Sequence, residues 1–365
     1  MKVAMIGHKQ IPSRSGGVEI VVEKLSEHLM KRGIQIDIYN RRMPEGEQIR
    51  EYKGMRMYYS FTVHRKNLDA IIAAFFSTLR ALTRGYDILH YHAEGSCLML
   101  WLPHLFHKKI AVTIHGLDWR RAKWSRFASK MLLVGEKFAV KYADQIIVLS
   151  KDVQRYFMEQ YGRRTNYIPN GVDPMPKRRP NLIRKKFGLE KEGYILFLAR
   201  IVPEKGLHYL INAYKNIDTE KKLVVAGNCP YAQEYGRQIL ELAGNSEKII
   251  FTGFVEGELL EELFSNAAVY VLPSEIEGMP ISLLEAMSYG RCCLVSDIPE
   301  NLNVAEGCVE SFCTGNTDDL QRHLEELLRD PEKCCRLGEK AADYVGRCYN
   351  WEMVAERTVE VYESK

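Results

Sequence analysis

Two glutamates, Glu277 and Glu285, stand eight positions apart in the stretch "PSEIEGMPISLLEAMSYG", Pro273 to Gly290, with a glycine and a proline between them. Carboxylates so placed around a helix start can do one of two things. They can cap, since "SEIE" and "SLLE" each match the S-x-x-E capping box. Or they can hold a polar ligand with hydroxyls on two of its parts, one carboxylate taking sugar hydroxyls and the other a ribose diol. Pro280 is the natural first helical residue. A helix that starts there puts Glu285 in its second turn, too deep for a capping box. Glu277 then stays in the loop, and Gly278, Met279, Pro280 and Ile281 form a turn whose free amides face the ligand. Capping alone explains this arrangement poorly.

Other residues that suit a phosphorylated ligand lie just after apolar runs. In "FLARIVPEKGLHYLINAY", Arg200 ends a strand-like run and Lys205 follows five residues later, before a helix. Two fixed cations there suit a diphosphate and would neutralise the charge that develops as a phosphate leaves. The plainer reading is two surface bases with Glu204 as their partner. Gly16 and Gly17 immediately precede a helix, where bare amides bind phosphate well; the alternative is a turn that needs glycine torsions. The segment is neither the dinucleotide fingerprint nor a P-loop. His115, at the end of "KIAVTIHG", is either a hydrogen-bonded structural histidine or a residue at the strand end where substrate chemistry belongs. From Trp119 to Lys141 the bases Arg120, Arg121, Lys123, Arg126, Lys130, Lys137 and Lys141 interleave with Trp119, Trp124 and Phe127. Such a run is either a solvated helix face or a helix lying on an anionic membrane.

The elements that must position these residues follow an α/β rhythm. "KVAMIG", "IQIDIYN", "YDILHYH", "KIAVTIHG" and "QIIVLS" read as strands of the first half, and "YILFLAR", "KLVVAG", "KIIFTG", "AVYVLPS" and "CCLVSD" as strands of the second. Helix-length amphipathic segments alternate with them, one closing at Gly33. Continuous apolar strands point to parallel sheets buried on both faces, hence two doubly wound α/β domains. In such sheets ligands collect at the carboxyl ends of strands, where the residues above fall. The length of 365 residues suits two domains. Prolines and bases in "YIPNGVDPMPKRRPNLIRKKFGL" mark a linker, which gives domains at 1–170 and 191–346, a linker at 171–190 and a final helical segment at 347–365.

Composition narrows the classes. A formal charge of +4 does not argue for nucleic acid as a partner, and 46% hydrophobic with 27% charged residues is a globular composition. The segments Asp69–Leu82 and Cys97–Phe106 fall short of the ~20 apolar residues of a spanning helix. The N-terminus reads as a first strand, not a signal peptide. Nine cysteines without a C-x-x-C read as reduced cytosolic thiols, not bridges or a metal site.

At these residues the sequence resembles the retaining glycosyltransferases of family 4. The "SGGVE" loop, "IPNGVD", "ARIVPEKG", "VVAGN", "FTGFV" and "EGMPISLLEAM", with its E-x7-E spacing, recur in that order over nearly the whole chain. "HGLDWRRAKW" is further similar to bacterial members that build capsule, exopolysaccharide or other surface polysaccharides, rhamnosyltransferase-like ones among them. The resemblance implies the GT-B fold: two Rossmann-like domains facing across a cleft, with a C-terminal helix crossing back to the first. It implies transfer of a sugar, with retained configuration and no metal or other cofactor, from a UDP-, GDP- or dTDP-linked donor to a glycan acceptor. Arg200 and Lys205 would bind the diphosphate, with Gly16 and Gly17 against the same phosphates. Glu277 and the amides of Gly278 to Ile281 would hold the transferred sugar, and Glu285 the ribose. Gly253, Phe254 and Val255 would flank the base, and His115 would contact the donor sugar. With the basic stretch, this makes a lipid-linked acceptor and a cytoplasmic enzyme at the inner membrane face the expectation. One departure stands out: many relatives read E-G-F-G-L where this chain has E-G-M-P-I, and Pro280 removes an amide donor. Rival readings are a sugar-nucleotide 2-epimerase, a non-catalytic sugar-nucleotide or glycan-binding protein of this fold and, more remotely, a dehydrogenase.

Overall fold

The computed structural model describes the chain apart from Ser15, residues 44–47, 64–67, 121–124 and 229–232, and Lys365; of Arg120 and Gln233 it describes the backbone alone. The chain divides into two compact units, Met1–Gly171 with Trp351–Lys365, and Val172–Asn350.

The first unit is built on strands β1 (Lys2–Ile6), β2 (Gln35–Arg41), β3 (Glu51–Tyr52), β4 (Met55–Ser60), β5 (Ile88–His92), β6 (Lys109–Ile114), β7 (Gln145–Val148) and β8 (Asn166–Tyr167). They form one sheet in the order β3-β4-β2-β1-β5-β6-β7-β8. Every pairing is parallel except that of β3 with β4. The second unit carries β9 (Tyr194–Leu198), β10 (Lys222–Ala226), β11 (Ile249–Gly253), β12 (Val269–Leu272), β13 (Cys292–Ser296) and β14 (Glu310–Phe312), in the order β11-β10-β9-β12-β13-β14, all parallel. Every residue of β5, β12 and β13 is buried, as strands covered on both faces must be. Two doubly wound α/β units are therefore what the apolar runs specify.

The strands absent from those runs lie toward the sheet margins. In β4 Met55 and Met57 are buried while Arg56 between them is exposed, so this strand is apolar on one face only. β8 and β14 have two and three residues, too few for a pattern. The run expected as a linker carries a helix, Leu182–Phe187, which belongs with the second unit. Its start is held by Glu262, buried in the helix Gly257–Asn266, whose Oε2 accepts the amides of Asn181 at 2.9 Å and Ile183 at 3.0 Å. The chain passes back to the first unit at Trp351, beyond the helix Pro331–Cys348.

The final helix, Trp351–Glu363, is part of the first unit. Trp351 stacks on His28 of the helix Gly17–Lys31 at 6.4 Å between ring centres. Tyr362, buried, meets His90 Nδ1 at 2.6 Å through its hydroxyl.

In both sheets the strand order runs outward from the first strand and then resumes on its other side. The order reverses between β1 and β5 in one unit and between β9 and β12 in the other. Those are the switch points at which open α/β sheets bind ligands.

Candidate active site

In the second unit the switch point collects Arg200, Lys205 and Glu277. Arg200 follows β9 and is half-buried, with no ion-pair partner among the described residues. Lys205 ends a single 3-10 turn, Pro203–Lys205, stopped by Gly206 at φ 66°. Glycine is required there twice over: the torsion is left-handed, and a Cβ would lie 1.9 Å from the carbonyl oxygen of Pro273. The loop after β12 thus presses directly on this turn, and the amide of Glu275 donates to the carbonyl of Glu204 at 2.9 Å.

That approach brings Lys205 to Glu277. The Lys205 ammonium donates to Glu277 Oε1, with 15% of the lysine side chain and 7% of the glutamate side chain exposed. Ser274 Oγ donates to the same oxygen at 2.7 Å. Ser274 is itself fixed by Ser296 at the end of β13, whose Oγ donates to the Ser274 carbonyl at 2.5 Å, and Asn301 Nδ2 donates to Ser296 Oγ at 3.0 Å. The plainer reading of Arg200 and Lys205 as bases sharing Glu204 is not what forms: Lys205 pairs across the fold, 72 residues away in sequence.

Neither serine of the two S-x-x-E matches caps a helix. Ser274 bonds to Glu277 in a loop, and Ser282 Oγ accepts the hydroxyl of buried Tyr270 at 2.8 Å. The helix Ile281–Ser288 has no side-chain cap. Pro280, expected as its first residue, is its N-cap instead, with extended torsions of φ −76° and ψ 97°. The helix accordingly opens at Ile281, and the first amides of a helix have no partner within it. Glu285 is its fifth residue and is buried. Gly278 is partly exposed and Met279 buried beside Glu277. Gly253 closes β11, Phe254 is exposed and Val255 buried.

In the first unit Gly16 is the N-cap of the helix Gly17–Lys31. Its φ of −152° suits any residue, so the torsional argument for glycine fails. A Cβ on Gly16 would lie 2.3 Å from Glu19 Oε2, the far end of that side chain, so the carboxylate of Glu19 would have to shift to admit one. Glu19 Oε1 accepts the amide of Lys9 at 2.9 Å, so a buried carboxylate from the chain itself sits at this helix N-terminus.

His115 follows β6 and is not isolated. Its Nε2 lies 3.2 Å from Nδ1 of His92, the last residue of β5. His92 in turn packs on His90 at 4.2 Å between ring centres, and His90 Nε2 meets Thr113 Oγ1 at 2.7 Å. Burial pushes His8 and His90 down to about 3 and holds His92 well below the ordinary histidine range, so all three rings are neutral. Beyond His92, Glu94 is buried, accepts the Asp118 amide at 3.1 Å, and is raised well above the carboxylate range by burial and by Asp118. Neither His90 nor His92 stands out singly in "YDILHYH"; their spacing of two on a strand, which puts both on one face, is the signal.

The basic stretch divides. Trp119 Nε1 donates to buried Glu136 at 3.2 Å, and Tyr156 and Tyr161 donate to the other oxygen of that carboxylate at 2.8 and 2.5 Å. Trp119 is thus a structural anchor. Arg121, Lys123 and Trp124 lie outside the described residues, as does the side chain of Arg120. On the helix Arg126–Tyr142, Arg126, Lys130, Val134, Lys137 and Lys141 are exposed at spacings of four, four, three and four, a single face. Phe127 beside them is 65% exposed.

Each of the two units matches a known family of proteins. Residues 15–175 match the model described as Glycosyltransferase Family 4, and residues 180–344 the one described as Glycosyl transferases group 1. An uncharacterised glycosyltransferase of Methanocaldococcus jannaschii is 26% identical, covering 100% of this chain and 98% of its own. Sucrose-phosphate synthase from Thermosynechococcus elongatus superposes with a TM-score of 0.85 at 21% identity, over 99% of this chain and 98% of that one. HepE from Anabaena, solved in complex with UDP and glucose, superposes with a TM-score of 0.84 at 16% identity, over 100% of both chains. Two matched models that succeed one another along the chain, on two units of this topology, make the protein a GT-B-fold member of the family 4 type of glycosyltransferases.

Proposed function

We propose that this protein transfers a sugar from a nucleoside diphosphate sugar to a hydroxyl of a lipid-linked glycan, with retained anomeric configuration and without a metal, in the building of a bacterial surface polysaccharide. The observation that carries the reading is the convergence of Arg200, Lys205 and Glu277 at the β9–β12 switch point. HepE, of the same fold, has been solved in complex with UDP-glucose. Both contacts to Glu277 land on Oε1, which leaves Oε2 for a sugar hydroxyl. Lys205 turns to the diphosphate, Arg200 joins it, and both neutralise the charge left as the glycosidic oxygen departs. The acceptor hydroxyl attacks on the face that the leaving group vacates, and the departing phosphate takes its proton. Glu285 holds the ribose, and Gly253 to Val255 flank the base. Gly16, Gly17 and His115 keep the donor roles that the resemblance gives them.

Contact with the inner face of an anionic membrane completes the reading. The basic face of the helix Arg126–Tyr142 supports it, as do exposed Phe76 and Leu79 on the helix Asp69–Leu82. Phe61, also exposed, packs edge-on against Phe76 at 5.5 Å. No helix among the described residues is long and apolar enough to cross a membrane.

A panel of UDP-, GDP- and dTDP-sugars, scored by thermal stabilisation and by slow hydrolysis, tests the core of the proposal. One sugar nucleotide should raise the melting temperature and be hydrolysed, and the anomer released to a model acceptor should match the donor. No stabilisation and no turnover with any of them would overturn it.

A further inference from the structure

We infer that His92 is a positioning residue which holds His115 as the neutral Nδ1–H tautomer, an inference that rests on the reading of His115 as a donor contact. The other nitrogen of His92 decides which ring donates. Its Nε2 is buried and has no hydrogen-bond partner among the described residues. The His92–His115 bond at 3.2 Å admits two proton placements. Were His115 the donor, the proton of neutral His92 would sit on Nε2, a buried N–H with nothing to receive it. If His92 donates from Nδ1, only a lone pair is left bare. Orphaned buried donors are rarer than under-used acceptors. The proton between the rings therefore belongs to His92, and His115 accepts at Nε2 and carries its own proton on Nδ1.

A doubly protonated His92 would also donate from Nδ1, but its surroundings oppose charge. His8, His90 and His115 all face it, and the remaining groups on these rings, Thr113 and the Tyr362 hydroxyl, are neutral. His8 shows the same pattern. Asn40 Nδ2 donates to the Ile11 carbonyl at 2.8 Å, which orients the amide so that Oδ1 accepts from His8 Nε2 at 3.1 Å. His8 Nδ1 is then a second bare lone pair in the same cluster.

The ring of His92 is held by packing as well. It lies against His90, which is pinned at Nδ1 by Tyr362 and at Nε2 by Thr113. Through these rings the final helix reaches the histidine at the end of β6. A rotationally fixed His92 fixes both the tautomer and the plane of His115.

The test reads the tautomer directly. Protein labelled with 15N-histidine, without substrate, is examined by long-range 1H–15N correlation, with His115→Gln to assign the signal. The expected result is an Nδ1–H tautomer at both His115 and His92. In His92→Phe, which keeps the ring volume, His115 should lose its single tautomer. In His92→Asn, whose amide can donate from near the Nδ1 position, it should regain it. Turnover should fall roughly 2- to 13-fold in His92→Phe, the size of one neutral hydrogen bond, with donor KM nearly unchanged. It should recover in His92→Asn. An Nε2–H tautomer at His115 in the unaltered protein, or an unchanged tautomer in His92→Phe, overturns the inference. Because that readout needs no ligand, it is separable from the transfer reading, which the sugar-nucleotide panel tests by itself.

Discussion

The ammonium of Lys205 donates to the carboxylate of Glu277, joining a turn after β9 to the loop after β12. Read from the sequence these are a diphosphate ligand and a sugar ligand; in the fold they are also partners of each other. Each is therefore poised by the other, and the loss of Lys205 leaves a nearly buried carboxylate with the Ser274 hydroxyl in place of an ammonium. That sets them apart from Arg200, which has no ion-pair partner among the described residues.

Lys205→Ala should lower both rate and stability, and Arg200→Ala rate alone. Removing a transition-state charge partner typically costs about 2.7–4 kcal/mol, or roughly 100- to 1,000-fold in kcat. Leaving the Glu277 carboxylate with Ser274 as its donor but no cation should add a stability loss of about 1–3 kcal/mol, the scale of a hydrogen bond to a charged group lost in a nearly buried place. Lys205→Met with Glu277→Gln should cost less stability than the two single changes summed. Near wild-type turnover in both alanine variants would discard the diphosphate assignment.

Glu277 and Glu285 should fail in different ways. Glu277→Gln should cut transfer strongly without weakening the bare nucleoside diphosphate, because the bare nucleotide lacks the sugar that Glu277 is proposed to hold. Glu285→Gln should weaken that nucleotide roughly 10- to 150-fold if the ribose diol is its partner, a hydrogen bond to a charged group being worth about 1.5–3 kcal/mol. Calorimetric titration of both variants separates these outcomes. Equal affinity across the wild type and Glu285→Gln would remove the ribose role.

Turnover should survive excess EDTA. In the proposed site the charge on the departing diphosphate is met by Arg200 and Lys205, side chains a chelator cannot strip. Activity lost on chelation and restored by magnesium or manganese would show that the diphosphate needs a cation these residues do not supply.

Stability should fall as the solution is acidified from about pH 6.5 toward 3. His8 and His90 are held neutral to about 3 in the fold, whereas the unfolded chain takes up their protons near 6.5. Between those values the unfolded state binds more protons, so stability is full above 6.5 and declines below it. The slope is up to about 1.4 kcal/mol per pH unit for each ring. Urea melts at several pH values should show that slope reduced in His90→Phe; an equal slope in wild type and variant would mean that His90 titrates normally.

Sedimentation with liposomes should pull the protein down on anionic vesicles and spare neutral ones. Each basic residue near such a surface contributes about 1 kcal/mol, so reversing Lys130, Lys137 and Lys141 to glutamate should abolish the difference while the melting temperature holds. Equal partitioning onto both vesicle types would leave that helix face simply solvated.

Much of this protein is decided along the chain itself. Buried parallel strands must be apolar throughout, so ten of the strands announce themselves as short apolar runs, and the residues just after them are the candidate site residues. β4 escapes because one of its faces is polar, and β8 and β14 because so few residues carry no period. Partnership is a different matter. Glu277 could be read as a cap or a ligand because the S-x-x-E pattern is local, whereas its partner Lys205 lies 72 residues away and meets it only through the adjacency of β9 and β12. Gly16 looks like a torsional glycine until Glu19 is seen folded back against it. His115 looks solitary until the pairing of β5 with β6 sets it beside His92, with His90 and Tyr362 behind, the latter 272 residues from His90 in sequence. Periodicity and residue type are properties of neighbouring residues and survive in the sequence. Which charges neutralise each other, which nitrogen carries a proton and which glycine is sterically compelled depend on contacts between distant strands, and only the tertiary structure settles them.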